Sequence, residues 1–398
     1  VPLPHPSRLT RVHLKEDIVP VVKDIFIRTL ELMIRKPVLT PEQIDFSAVR
    51  SVLVIRQHDM LGDFLVATPV FRALRNRFPG AHIGVLIRDN FACAIAGNPF
   101  VDEILVIQKG SHQWDPRLLM TLLKKVYKRW DLTIVLNTVS HSLSSDILAE
   151  LSSRRFILGS AGGVFPGTSR NFFYNLVAPY SGTTVHQTGR NLDIVRYIGA
   201  QTEDLSEQMS LQDTERRYAL ETLRQIGMRE DGLRIALNLG AGKVANRWPV
   251  ARFAGLAQLL HDRLNAQILL FWGPDETNLA DEFCSLIAFT PAKVDPAGIR
   301  HLAACLTHCS LLVCNDTGPM HVCAAVGVPL VAVFGPTHPG EWKPVGDSFV
   351  AVRGAGGTVD GADVDSVYGR VTALLLQLPP HGGCSRTVSS SSQRRSNT

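Results

Sequence analysis

Short runs of almost purely apolar residues punctuate this chain, and a stretch of helical periodicity follows most of them. In the first half the runs are Ser51–Arg56, His82–Ile87, Glu103–Ile107, Asp131–Leu136 and Arg155–Leu158. Helical spacing predicts helices at Phe64–Phe78, Pro116–Arg129, His141–Leu151 and His186–Ile198. A strand that is apolar on both faces must be covered on both faces, and a helical crossover between two such strands makes them parallel. The pattern therefore predicts a doubly wound α/β sheet. The second half repeats it. Strands are expected at Arg234–Leu239, Gln267–Trp272, Leu311–Cys314, Val328–Phe334 and Phe349–Val352. Helices fit Asp213–Ile226, Val250–Leu264, Glu276–Ala288, Gly298–Leu306, Met320–Val326 and Asp363–Leu378. The 398 residues suffice for two such domains, although no residue-level repeat relates the halves.

The flanking and connecting segments read differently. Within Lys15–Arg35, the residues Ile18, Val21, Val22, Ile25, Phe26, Leu30, Met33 and Ile34 fall at helical spacing. A helix packed on the domain surface is expected, because Glu16, Asp17, Asp24 and Glu31 would repel an anionic lipid surface. Gly159–Gln187 reads as a long loop over a sheet edge, and Gly199–Leu211 as a polar linker. From Pro379 onward the composition predicts disorder. The expected domains are an extension over 1–45, Rossmann-like domains over 46–200 and 205–378, and a tail over 379–398.

Composition narrows the function. A net charge of +5, without a basic stripe, permits an anionic ligand but does not point to nucleic acid. No stretch near the length of a bilayer span is both apolar and free of charge, and the first residues lack a signal peptide's apolar core. The 7 cysteines form no disulfide framework, which suggests a reducing compartment. Cys305, Cys309, Cys314 and Cys323, with His301, His308 and His321 nearby, could hold zinc. Their spacings are not those of paired Cys-x-x-Cys knuckles, so buried free thiols are expected.

The chemistry-bearing residues sit in loops that follow strands. Cys314-Asn315-Asp316-Thr317-Gly318-Pro319-Met320-His321 joins a strand to a helix start, where unpaired amides and the helix dipole offer a seat for phosphate. The alternative is an ordinary helix cap. Gln57–Asp63 contains one glycine, which disfavours a dinucleotide fingerprint. Asp63, with Asp59 nearby, reads as a general base or a cap. In Leu239–Pro249, Gly240 and Gly242 allow close approach, while Lys243 and Arg247 supply charge for a diphosphate or line a solvated loop. Leu237 and Val244 exclude a Walker loop. Within Gly273-Pro274-Asp275-Glu276, a carboxylate just past a strand end can accept from ribose hydroxyls or cap a helix. Asp360, Asp363 and Asp365 read as acids at a helix start rather than metal ligands.

Taken together, these loops resemble glycosyltransferase family 9, the ADP-heptose:lipopolysaccharide heptosyltransferases. The matching pieces are Leu61–Pro69, Gly240–Gly242 through Asn246–Pro249, Gly273–Glu276, and Asn315–His321 with Gly327–Pro329 and Phe334–Thr337. They cover residues 50–375. The resemblance implies a GT-B architecture, with an N-terminal acceptor domain and a C-terminal nucleotide-sugar domain facing across a cleft. It implies inverting, metal-independent transfer of a heptose or related sugar, with ADP-heptose as co-substrate and no cofactor. The acceptor would be a lipopolysaccharide inner core or related lipid-linked glycan or oligosaccharide, met in the cytoplasm at the inner membrane surface. By the resemblance, Asp63 is the base, and Lys243, Asn246 and Arg247 lie near the donor phosphates. Glu276 holds the ribose, Asp316 the sugar, and Thr317, Gly318 and His321 the diphosphate. Acceptor contacts are expected from Arg56, Arg88 and the 159–187 loop. Two features depart from the family pattern. Asn246 replaces the lysine of Lys-Arg-Trp-Pro or Lys-His-Trp-Pro, and the gap from Arg56 to Asp63 is one residue longer. Another GT-B transferase, a sugar-nucleotide epimerase and a silent nucleotide-binding protein are the alternatives.

Overall fold

The apolar runs become two separate six-stranded sheets, and every strand pair in them is parallel. The computed structural model describes residues 25–57, 60–108, 116–138, 142–162, 164–165, 168–180, 182–295 and 298–378. These divide into two compact units. The first runs to Gln212 and takes in Gly318–Val326 and Thr337–Gly346; the second comprises Asp213–Thr317, Gly327–Pro336 and the residues from Asp347 on.

In the first unit the strands are β1 (Ser51–Ile55), β2 (His82–Arg88), β3 (Glu103–Ile107), β4 (Trp130–Val135), β5 (Ser153–Ser160) and β6 (Leu176–Ala178). Their spatial order is β3-β2-β1-β4-β5-β6. The chain winds outward from β1 one way, then returns to β4 on its other side. In the second unit β7 (Arg234–Asn238), β8 (Gln267–Phe271), β9 (Ala292–Lys293), β10 (Leu311–Asn315), β11 (Leu330–Phe334) and β12 (Phe349–Arg353) take the order β12-β11-β10-β7-β8-β9. The reversals, β1/β4 and β7/β10, are the switch points where loops part and ligands of open α/β sheets bind.

The helices cover both sheets. A helix over 25–34 is α1; then come α2 (Leu61–Leu65), α3 (Pro69–Arg77), α4 (Asp89–Ile95), α5 (Pro116–Val126), α6 (Leu143–Ser152) and α7 (Gln187–Arg196). The rest are α8 (Asp213–Gln225), α9 (Val250–Leu264), α10 (Thr277–Ser285), α11 (Ile299–Leu306), α12 (Gly318–Ala325), α13 (Pro339–Trp342) and α14 (Val364–Gln377). α12 and α13 lie in the first unit. Ile27, Leu30 and Ile34 of α1 pack into the first core with Val126, Ala149 and Phe172. The second core joins Trp248, Phe253, Leu260, Phe283 and Val371 to the apolar faces of β7, β8, β10 and β11. The start of the expected first helix and the 379–398 tail lie outside the described residues.

Three expectations need correction. The helix expected over 64–78 is two helices. Pro69 has no N–H to continue the first, and the Thr68 hydroxyl donates to the Leu65 carbonyl at 2.7 Å instead. Within Gly159–Gln187, β6 extends the sheet, and Phe172, Phe173 and Tyr174 are buried. The Tyr174 hydroxyl donates to buried Asp146 at 2.5 Å, over Gly159, where a Cβ would lie 2.2 Å from the ring. The 172–178 stretch is core, and its strand is too short to show alternation. Helix α4 was also not expected.

Gly84 on β2 faces the Trp130 ring, and a Cβ there would lie 2.3 Å from Cη2. A buried indole has no free volume to retreat into. Gly84→Ala is expected to lower stability by about 1–3 kcal/mol, read as a lower urea midpoint at unchanged slope. An unchanged midpoint would contradict this packing.

Candidate active site

The second unit's switch point is closed by one buried side chain. Asn315, the last residue of β10, accepts from the Trp248 N–H at 2.8 Å and donates to the carbonyls of Leu239 at 2.8 Å and Gly240 at 3.2 Å. Asn238, ending β7, donates to the Gly240 carbonyl at 3.1 Å. The 239–248 loop is thereby fixed at both ends. Trp248 anchors it further: the indole N–H donates to Ala362 at 2.9 Å, and the ring packs edge-on against Phe253.

Within that loop the candidate residues have distinct surroundings. Asn246 is buried and donates to Asp316, to its carbonyl at 3.2 Å and its Oδ2 at 3.1 Å. It orients the Asp316 carboxylate. Arg247 donates through Nε to the Ala241 carbonyl at 2.8 Å and pairs through Nη2 with Glu276 Oε1 at 3.0 Å. Glu276 Oε2 accepts from the Gly273 N–H at 2.9 Å. A Cβ on Gly240 would lie 1.6 Å from Glu276 Oε2, and one on Gly273 2.7 Å from it. The room these glycines leave is therefore occupied by Glu276 itself. A Cβ on Gly242 would meet nothing within 4 Å. Lys243 is exposed on the short turn beside it, and Thr317 is half-buried.

The first unit holds the other candidates. Asp63 is the third residue of α2, not its cap, and its Oδ2 accepts from the Met60 N–H at 3.0 Å. This is the reach-back half of a capping box. The start of α2 packs against the start of α12. A Cβ on Gly318 would lie 3.5 Å from Leu61 Cδ2, and one on Gly62 would lie 2.7 Å from His321 Cδ2. The residue preceding Asp63 thus touches the imidazole of His321. That ring is buried, with Nδ1 2.9 Å from Glu207 Oε1. Asp59 lies outside the described residues.

Sequence reasoning missed Glu207, Asn315's clamping contacts and His186. The His186 Nε2 lies 2.7 Å from the Lys343 carbonyl, and its Nδ1 accepts from the Thr188 N–H at 3.1 Å. Only a neutral ring with its hydrogen on Nε2 satisfies both. Arg56 was expected to meet an acceptor. It is buried instead, donating to the Leu136 carbonyl at 3.1 Å and to Asn191 Oδ1, and so ties the β1 and β4 loops together.

Burial pushes the thiols of Cys305 and Cys309 up to about 12, and raises Cys314 as well. Among the described residues no group of three His, Cys, Asp or Glu side chains could hold a metal ion. Asp363 caps α14, accepting from the Ser366 N–H at 2.7 Å.

Two doubly wound units with polar loops at their switch points make this a GT-B fold, the architecture of nucleotide-sugar glycosyltransferases. The solved structures agree. A family 9 glycosyltransferase from Veillonella parvula is similar with a TM-score of 0.72 at 22% identity, covering 83% of this chain and 98% of that one. The E. coli ADP-heptose lipopolysaccharide heptosyltransferase II is similar with a TM-score of 0.67 at 23% identity, covering 82% and 99%. The model of glycosyltransferase family 9 (heptosyltransferase) matches residues 119–362, and the chain belongs to that family; it is a glycosyltransferase. Among curated relatives, lipopolysaccharide heptosyltransferase 3 of E. coli K12 is 25% identical over 299 residues, which is 73% of this chain and 84% of the relative. Lipooligosaccharide heptosyltransferase 2 of Haemophilus influenzae is 22% identical over 311 residues, 74% and 86%.

Burial, ahead of the Lys343 carbonyl that opposes it, holds His186 below its ordinary 6.5. The unfolded chain then takes up this proton before the folded one does. The His186 contribution is whole above pH 6.5 and declines as pH falls through the folded value. Stability measured by denaturant from pH 7.5 downward should fall in the native chain and fall less steeply in His186→Gln. Parallel curves would remove His186 as a source of acid sensitivity.

Proposed function

We propose that this protein transfers a heptose or related sugar, with inversion and without a metal ion, from ADP-heptose to a lipid-linked inner-core or related glycan. The observation that carries the reading is the packing of the Leu61–Asp63 turn against the start of α12. It sets the turn that carries the half-exposed Asp63 beside a helix start that offers amide donors.

The chemistry follows from charge. As the glycosidic bond breaks, the nucleoside diphosphate gains negative charge and the sugar ring becomes cation-like. Amides at Thr317 and Gly318, with His321, Lys243 and Arg247, would stabilise the leaving group. Asp316, oriented by Asn246, would hold the sugar, and Glu276, steadied by Arg247 and Gly273, the ribose. Asp63 would take the proton from the acceptor hydroxyl as its oxygen attacks the anomeric carbon. One direct displacement inverts the configuration. The donor is supported by the E. coli heptosyltransferase WaaC, solved with ADP and similar to this chain with a TM-score of 0.63 at 19% identity.

A lipid-linked acceptor places the reaction at the cytoplasmic face of the inner membrane. No helix among the described residues is long and apolar enough to cross a membrane.

Asp63→Ala is expected to reduce transfer by about 10²–10⁴-fold while leaving the calorimetric affinity for the donor nearly unchanged. Normal turnover in that variant would eliminate Asp63 as the base. A screen of ADP-, GDP- and UDP-sugars with mass-spectrometric detection should give product from the ADP-sugar. Product from another nucleotide alone would overturn the donor assignment.

A further inference from the structure

Glu207 is the most completely buried acid near the candidate site, with its side chain 1% exposed. It belongs to the polar segment after α7, where nothing in the sequence marks it. One carboxylate oxygen lies 2.9 Å from His321 Nδ1, and the other has no hydrogen-bond partner among the described residues. A buried carboxylate without compensating charge is strongly disfavoured, so it either takes up a proton or is balanced by a cation beside it. Among the described residues, four charged or titratable groups bear on this pocket from the elements around it. They are His321 on α12, His186 at the head of α7, Lys343 after α13, and Asp63 next to Gly62 on α2. Glu207 and His321 both act on His186 electrostatically, as does Lys343. His186 is held neutral by its two backbone contacts. Lys343 Nζ is turned to the carbonyls of Pro344 at 3.1 Å and Gly346 at 3.4 Å. Asp63 is itself an acid. The ring of His321 is therefore the group placed to balance Glu207.

We infer that Glu207 is a positioning residue. Its carboxylate grips His321 by Nδ1 and supplies the counter-charge for an imidazolium, while the Cδ2–Nε2 edge of the ring faces the turn that carries Asp63. The Gly62 position fixes that orientation, since a Cβ there would lie 3.2 Å from Nε2 as well as 2.7 Å from Cδ2. Resting on the proposed transfer reaction, this gives His321 a defined task. It is the cation that the proposed reading sets near the diphosphate, and Glu207 acts only through it.

The test has two readouts. In the native protein labelled with ¹⁵N-histidine, the His321 imidazole should carry hydrogen on both nitrogens at pH 7. In Glu207→Gln it should titrate about one pH unit or more lower, because an adjacent opposite charge has been removed. This spectroscopic result does not depend on which sugar is transferred, so it separates failure of the pair from failure of the reaction assignment. In turnover, Glu207→Gln should lose about tenfold or more in kcat, with the alkaline limb of the pH profile moved to lower pH. Glu207→Asp should recover part of both effects. Glu207→Gln/His321→Gln should be no worse than His321→Gln alone, and it removes both partners should the single change unfold the chain. A native-like pH profile in Glu207→Gln, a neutral His321 at pH 7 in the native protein, or losses that multiply in the double variant would each overturn the inference.

Discussion

Both sheets reverse their strand order beside their first strand, and that constraint decides where polar chemistry can go. A parallel sheet covered on both faces has no room for unpaired polar groups along its length. Polar side chains must gather where neighbouring strands send their loops apart. In the second unit this is the β7/β10 gap, occupied by Asn238 and Asn315. In the first it is the β1/β4 gap, where Arg56 spans from β1 to the Leu136 carbonyl and Gln57 donates to Ser145 at 3.1 Å. The gaps are filled by side chains that satisfy backbone carbonyls. The residues that follow them in sequence are consequently held in defined positions.

The second unit shows how firmly. Asn315 contributes three hydrogen bonds and Glu276 two contacts, and the glycines at 240 and 273 exist to admit the latter. Each bond adds only about 0.5–1.5 kcal/mol net, but leaving a buried donor or acceptor unmet costs about 1–3 kcal/mol. The loop therefore has few alternative conformations. A rigid carboxylate and a rigid carboxamide are what an electrostatic catalyst requires, because groups already oriented need no reorganisation when charge develops.

Most of the architecture was legible in the chain because apolar runs and helical periodicity report burial directly. The helix Val250–Leu264 and the strand Glu103–Ile107 were read at their observed limits. What was not legible depended on contacts between distant residues. β6 and β9 are too short to alternate. Gly240 looked like space for a ligand, yet its neighbour is Glu276, 36 positions away in sequence. Arg56 was expected to meet an acceptor from its position and charge in the first domain, and nothing local revealed Asn191 beneath it. Glu207 read as one more polar residue in a connecting segment, since its significance comes wholly from His321.

The departure at Asn246 bears most on how the donor site is charged. A lysine at this position would place an ammonium against Asp316 and cancel its charge. The carboxamide donates to the same oxygen at 3.1 Å and contributes no charge. On the proposed reading, Asp316 is aimed by a neutral carboxamide, which suits a carboxylate that meets a sugar ring becoming cation-like. The positive charge for the phosphates then comes, on that reading, from elsewhere in the loop. Arg247 is committed to Glu276 through Nη2 and to Ala241 through Nε. On the same reading, Lys243, exposed beside Gly242 where no atom crowds the backbone, adds a second cation beside a bound diphosphate. On the proposed reading, the loop has divided one residue's work between a buried amide that aims and an exposed ammonium that neutralises.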